Sequence, residues 1–290
     1  MSAAPIGVFD SGVGGLSVLR HLRAHLPHEN FIYIADQAHV PYGRRPLADI
    51  RRLSENVVHF LLAHHVKLIV IACNTASGAA LNSLRHTFPS LPFVGMEPAV
   101  KPAAAQTKSG KVGVLATAGT FESQRYLSLM NRFAKDVEVF ENPCIGLVER
   151  IEDGQLDDDE TAVLLRSCVE PMLAAGVDTL VLGCTHYPFI RPLLEQICEH
   201  NTSAELVEGR SSTSSDLTVT IIDPAPAIAR QTARRLAENG LLNGAGAMEN
   251  LSLYTSGDAD HMTAQSRQLL ADKSLPKATH TAILPAVMGH

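Results

Sequence analysis

Residues 68–80 read LIVIACNTASGAA, from Leu68 to Ala80. The run Leu68–Ala72 is apolar without a break, the pattern of a strand buried on both faces of a sheet. It ends on a thiol, Cys73, and continues with Asn74, Thr75 and residues too small to fill a core. The same grammar returns in LVLGCTHYP, residues 180–188, where Cys184 follows the apolar run. Open α/β sheets bind ligands at the carboxyl ends of their strands. Small residues at those ends leave room for a ligand and expose backbone N–H groups.

Working outward, IGVF (6–9) predicts a strand, and Leu16, Leu19, Leu22 and Leu26 mark a helix closed by Pro27. FIYIAD (31–36) is a second strand and QAHVPYGRRP a loop. A helix follows Pro46, with Leu47, Ile50, Leu53, Val57, Phe60 and Leu61 on its apolar face. KLIVIA is the third strand, SGAALNSLRHTF its helix, and FVGM (93–96) closes the block. The pattern restarts with KVGVLATAGTFESQRYLSLM, read as strand, small polar loop and helix. VEVFEN is a strand, and DDDETAVLLRSCVEPMLAAG a helix whose acidic start suits the helix dipole. VDTLVLGCTHYPFIRPLLEQI is again strand, loop, helix. Strands alternating with helices predict parallel sheets.

The two blocks align as copies, IGVFDSGVGGLS (6–17) with VGVLATAGTFES (112–123) and IVIACNTAS with LVLGCTHYP. EGRSSTSSDLTVT reads as a connection. IIDPAPAIARQTARRLAENG, LSLYTSGD and MTAQSRQLLAD then add a strand end, a helix, a strand and a helix, too little for a third domain. KATHTAILPAVMGH carries no pattern. The expected fold is α/β, with two pseudo-symmetric open parallel-sheet domains and the active site in the cleft between them. The first is discontinuous, 1–98 plus 221–290, and the second spans 99–220.

Composition narrows the function. The chain has 290 residues, 46% of them hydrophobic and 19% charged, with a net charge of −6. That balance speaks against nonspecific nucleic-acid binding. No apolar run reaches the roughly 18 residues of a membrane span. The start, MSAAPIGVFDSG, lacks the features of a signal peptide, so the expected location is the cytoplasm. Five cysteines, an odd number with no C-x-x-C pair, predict neither a disulfide framework nor a structural zinc site, and no metal is expected. Cys144, Cys168 and Cys198 read as small buried hydrophobes.

A thiol at a strand end that opens a helix meets unfilled N–H groups, which favour the thiolate. Asn74, Thr75, Thr185 and the backbone after them could hold a substrate carboxylate. One reactive cysteine suggests a nucleophile, and two matched ones suggest inversion of a carbon centre. In that reaction a base takes a proton from one face, an acid delivers one to the other, and the reverse reaction swaps the roles. Blander readings stand beside this one. Asp10 could cap a helix, Asp36 a turn, and Tyr42-Gly43 could be only a turn; the asparagine and threonines could be local caps, His186 structural, and Glu152 part of a solvated charged face.

Three rival functions are open. GVGGLS after a strand, with Asp36 ending the next strand, imitates a dinucleotide fingerprint. Against it, Ser17 takes the place of the third small residue, and Asp10 would repel a pyrophosphate. Cys184 with His186 could serve a cysteine hydrolase, which leaves Cys73 idle. A two-domain cleft would also suit an amino-acid-binding protein.

FDSGVGGLSV, PYGRRP, ACNTAS, GVLATAGTFES and LGCTHYPF together resemble the cofactor-independent glutamate racemases, in order and spacing from Ile6 to about Asp258. The resemblance implies interconversion of L- and D-glutamate without a cofactor, supply of D-glutamate for peptidoglycan, and a homodimer. Close relatives acting on aspartate share the mechanism. Carried over by position, Cys73 would deprotonate the D-isomer and Cys184 the L-isomer. Asp10 would assist Cys73, His186 would assist Cys184, Glu152 would support His186, and Asp36 would be a further acid near the site. Ser11, Pro41, Tyr42, Gly43, Asn74, Thr75, Thr117, Thr120 and Thr185 match positions around the substrate. Some members carry an N-terminal extension and respond to a peptidoglycan precursor. With five residues ahead of Ile6, that control is not expected. TSGDADHM departs from the family, which often has an aromatic after the acids.

Overall fold

The computed structural model describes residues 3–207, 218–244 and 250–283. In chain order it has β1 (Ile6–Asp10), α1 (Leu16–His25), β2 (Phe31–Ala35), α2 (Leu47–Ala63), β3 (Leu68–Ile71), α3 (Asn74–Thr87) and β4 (Phe93–Gly95). Then come α4 (Val100–Gln106), β5 (Lys111–Leu115), α5 (Ala118–Phe121), α6 (Gln124–Phe133), β6 (Glu138–Asn142), α7 (Leu147–Glu152), α8 (Asp159–Ala174), β7 (Thr179–Leu182), α9 (Arg191–Val207) and β8 (Thr220–Ile222). The chain closes with α10 (Ala225–Glu238), β9 (Leu251–Thr255), α11 (Ala259–Leu269) and β10 (Thr279–His280). It divides into two compact units, Met1–Glu97 with Pro224–His290, and Pro98–Asp223.

The first unit holds a six-stranded parallel sheet in the order β10-β9-β2-β1-β3-β4. Every residue of β1, β2 and β3 is buried, as their unbroken apolar sequences require of central strands. On α1, Leu16, Val18, Leu19 and Leu22 are buried. The returning α10 packs on this helix and buries Ala225, Ile228, Ala229, Thr232 and Leu236, a helical stripe. Each large aliphatic side chain withdrawn from water there contributes about 1.5–3 kcal/mol. α2 lies against α3, where Ala76, Ala79 and Ala80 are small enough to let the helices approach.

The second unit holds a four-stranded parallel sheet in the order β6-β5-β7-β8. This repeats the β2-β1-β3-β4 portion of the first sheet, strand for strand. Phe9 pairs with Ile71 at the carboxyl end of the first core, and Leu115 with Leu182 at the same place in the second. Cys73 and Cys184 each follow those paired strand ends by two residues. The duplication seen in the sequence is therefore a duplication of topology and register. β8 pairs with β7 in the second sheet, and the division between units comes just after it, at Asp223 and Pro224.

Several elements carry no clear sequence signal. α4, α5 and α7 are 7, 4 and 6 residues long, too short to show a helical period. α3 begins at Asn74, earlier than the apolar pattern places it, because its first turn is set by a cap and not by apolar spacing. β10 is a two-residue strand in the tail that reads as featureless. Most of the Ser/Thr-rich connection and the last seven residues lie outside the described residues. No helix among the described residues is long and apolar enough to cross a membrane.

Candidate active site

In the first unit, Asp10 closes β1 and Ser11 follows it; Asp36 follows β2; Cys73, Asn74 and Thr75 join β3 to α3. All sit at the carboxyl ends of three adjacent strands. Cys73 is the N-cap of α3, and its sulfur accepts the N–H of Ala76 at 3.4 Å. Its thiol also lies 3.7 Å from the Ser11 hydroxyl. The helix N–H group and the dipole behind it favour a thiolate at this sulfur. Asn74 is 5% exposed, and neither atom of its buried side-chain amide has a hydrogen-bond partner. Leaving such groups bare costs about 1–3 kcal/mol each, a cost that a carboxylate and ammonium ligand would offset. Thr75 is buried beside it.

Asp10 is fully buried and its Oδ2 accepts the N–H of Gly12 at 3.1 Å. It does not cap α1, whose N-cap is Gly15. A Cβ on Gly15 would lie 2.6 Å from the Cβ of Asp10 and 3.0 Å from the Tyr33 hydroxyl oxygen, so only glycine lets the helix start this close to the acid. Asp36, also fully buried, accepts the Tyr42 hydroxyl at 2.6 Å and the Ser256 hydroxyl at 2.6 Å, with His39 Nδ1 at 2.9 Å. Its carboxylate thus serves side chains of the unit and is not turned toward a ribose, as a dinucleotide site would need. Burial first, then the charge of Asp36, pushes the Tyr42 phenol well above its ordinary value, so it stays a neutral donor. Pro41, Tyr42 and Gly43 lie on the loop between β2 and α2, with Tyr42 buried edge-on to Phe9.

In the second unit, Thr117 and Thr120 follow β5 with their hydroxyl oxygens 3.1 Å apart. Cys184, Thr185 and His186 follow β7, and Glu152 ends α7, the helix after β6. These again mark three adjacent strands. Cys184 does not open an α-helix as its position suggests. A single 3-10 turn, Tyr187–Ile190, contains Pro188, and α9 starts only at Arg191. Its support is an imidazole: Cys184 Sγ lies 3.6 Å from His186 Nδ1, and His186 Nε2 lies 2.5 Å from Glu152 Oε1. Thr185 Oγ1 lies 3.5 Å from the same Nδ1. Gly183, just before the thiol, could not carry a Cβ, which would stand 2.7 Å from the Cβ of Ala116 and 2.9 Å from the Leu115 carbonyl oxygen.

Burial would strip the proton from His186, but its bonds to Cys184 and Glu152 prevail and hold its pKa well above the ordinary value. A protonated imidazole, backed by a carboxylate, is thus held in contact with the Cys184 sulfur. A raised folded-state pKa stabilises the fold fully below about pH 6.5, and that contribution is lost as pH rises through the folded value. Glu152→Gln removes the negative partner and lets the imidazole lose its proton sooner. The alkaline limb of the pH–rate profile should therefore move to lower pH, with kcat down by about 10²-fold at neutral pH. An unshifted limb would show that Glu152 does not act through His186.

All five cysteines are free and buried. Cys144 donates to Cys168, and that bond with burial keeps its thiol protonated; burial pushes Cys198 up to about 11. The sequence left His39 and Ser256 unassigned. Ser256 had one signal, its place one residue past the end of β9, at the carboxyl edge shared by every candidate in this sheet.

Residues 16–232 match the Asp/Glu/hydantoin racemase family. The chain is 49% identical over 260 residues to the glutamate racemase of Stutzerimonas stutzeri, covering 90% of this chain and 91% of that one. Among solved structures, glutamate racemase from Francisella tularensis in complex with D-glutamate superposes with a TM-score of 0.79 at 27% identity, over 98% of this chain and 99% of that one. Escherichia coli glutamate racemase, in complex with L-glutamate and an activator, gives 0.78 at 31% identity, over 97% and 99%. With the same duplicated sheets, and half its residues shared with a relative along nine-tenths of both chains, this chain belongs to the Asp/Glu/hydantoin racemase family.

Proposed function

We infer that the chain is a glutamate racemase, interconverting L- and D-glutamate by proton transfer at the α-carbon with Cys73 and Cys184 as the two bases. The observation that carries this reading is the repeated strand-end cysteine: one in each unit, at the same topological position, each sulfur with a hydrogen-bonding partner, the Ala76 N–H at Cys73 and the His186 ring at Cys184. Two proton carriers of one kind meet the demand of two-base racemisation, in which each face of the carbon is served by a group that is base in one direction and acid in the other. In the D to L direction the Cys73 thiolate takes the α-proton and the Cys184 thiol returns one. The opposite direction starts with Cys184 as thiolate. Asp10 assists Cys73, and His186 with Glu152 assists Cys184.

Asn74, Thr75, Ser11, the Pro41-Tyr42-Gly43 loop and, from the second unit, Thr117, Thr120 and Thr185 supply contacts to the carboxylates and ammonium. Fixed N–H dipoles and a dry site lower the barrier to forming the carbanion. The family role is supply of D-glutamate for peptidoglycan, which assigns the work to the cytoplasm, and we expect a homodimer. The S. stutzeri relative supports glutamate over aspartate as substrate.

The Cys184–His186–Glu152 chain also has the geometry of a thiol hydrolase, and one experiment separates the two. In D₂O without added cofactor, either glutamate enantiomer should lose its circular dichroism and gain α-deuterium, while aspartate should react far more slowly. Retention of the α-proton, or an acyl-enzyme in the intact mass, would overturn the racemase reading.

A further inference from the structure

We propose that Ser256, on the C-terminal segment that returns to the first unit, is a positioning residue for the substrate loop, acting through Asp36 on Tyr42. Its hydroxyl donates to Asp36 Oδ1 at 2.6 Å and accepts the N–H of Ala38 at 3.0 Å. The other oxygen of Asp36 takes the Tyr42 hydroxyl at 2.6 Å. A line of hydrogen bonds thus runs from the end of β9, through a fully buried carboxylate, to the buried tyrosine beside Pro41 and Gly43.

Neighbouring bonds hold the serine in place. Its own N–H donates to the Ala35 carbonyl, and Thr255 donates to Gln37 Oε1 at 2.8 Å. Gln37 in turn donates to Gln265 on α11 at 2.9 Å. The segment that departs from the family pattern therefore begins with residues built into the site's foundation. Without Ser256, Asp36 Oδ1 would keep only the half-exposed His39 among these partners. His39 Nδ1 lies 2.9 Å from Oδ1 and 3.0 Å from Oδ2, so the ring alone does not fix the rotation of the carboxylate, which would be free to turn away from Tyr42, and the N–H of Ala38 would lose its acceptor.

This inference rests on the racemase reading, and the wild-type assay tests that reading separately. In full-length protein, Ser256→Ala should raise KM for both glutamate enantiomers about tenfold, the loss expected for one charge-assisted hydrogen bond. kcat should stay within about threefold, as for interactions equal in ground and transition states. Ser256→Thr keeps the hydroxyl and should restore KM. Tyr42→Phe should raise KM similarly, and adding Ser256→Ala to it should raise KM no further. A double variant whose KM rise is the product of the two single ones, or a Ser256→Ala variant with lower Tm and normal KM, would overturn the proposal. A crystal structure of Ser256→Ala gives a reading that needs no turnover. The Tyr42 hydroxyl should leave Asp36, and finding it unmoved would also overturn the proposal.

Discussion

Cys73→Ser and Cys184→Ser should each cut racemisation by about 10³-fold or more, because a serine hydroxyl neither ionises nor hands over a proton at the rate of a thiol. The loss should appear in both directions for both variants. Enantiomers have equal free energy, so the equilibrium constant is one and kcat/KM must fall equally for L- and D-glutamate. Racemisation alone therefore cannot say which thiol faces which enantiomer. Hydrogen exchange without inversion can. In Cys73→Ser the surviving Cys184 can still remove and return the proton of L-glutamate, so L-glutamate should slowly take up deuterium while D-glutamate does not. Cys184→Ser should show the reverse. The opposite pairing would exchange the roles of the two cysteines, and near-normal racemisation by either variant would end the two-base mechanism.

The two thiols have different neighbours. Cys73 has a helix N-terminus, with the Ala76 N–H on its sulfur. Cys184 has the His186 imidazole and behind it Glu152. Packing explains the difference. After β3 the small residues Asn74 to Ala76 turn at once into α3. After β7 the Tyr187-Pro188 pair imposes a 3-10 turn before α9, and the space near the sulfur is filled by a histidine. A pH change that removes the imidazolium should thus affect Cys184 more than Cys73, which is the physical basis for the shift predicted in Glu152→Gln.

How much of this could be read from residues alone depended on length and on whether a contact was local. The apolar runs Leu68–Ile71 and Leu180–Leu182 announced central parallel strands, and the thiols two residues beyond them pointed to the candidate site. Local pattern also supported the link between Cys184 and His186, two residues apart. Glu152 was different. It lies in a six-residue helix with charged neighbours, and only the placing of β6 and β7 on the two sides of β5 brings it to His186, 34 residues away in sequence. Ser256 and Asp36 are 220 residues apart, and no spacing rule joins them. The reading of strand, loop and helix around Cys184 holds, but the apolar pattern could not show that the loop contains a 3-10 turn ahead of α9.

At the other end of the same strands, the charge pair Lys67–Glu29 should control stability and leave the chemistry alone. Lys67 Nζ lies 2.5 Å from Glu29 Oε2, each side chain 3% exposed. Asn243, from the C-terminal return, accepts from Lys67 at 2.9 Å and donates its N–H to Glu29 at 2.8 Å. The three residues tie the starts of β2 and β3 to the returning chain. Lys67→Met strands a buried carboxylate and should cost about 3–5 kcal/mol, about 10 °C in Tm for a chain of this size. Adding Glu29→Gln removes the stranded charge and keeps an acceptor for the Asn243 N–H, so the double variant should recover most of the loss. Glu29 and Lys67 precede their strands, whereas the candidate catalytic groups follow theirs, so kcat at a temperature where the variants stay folded should match the wild type. Thermal unfolding of the three proteins checks the first part. An unchanged Tm in Lys67→Met, or a double variant no better than the single one, would show that the pair contributes nothing as a pair and that the return is held by the apolar face of α10.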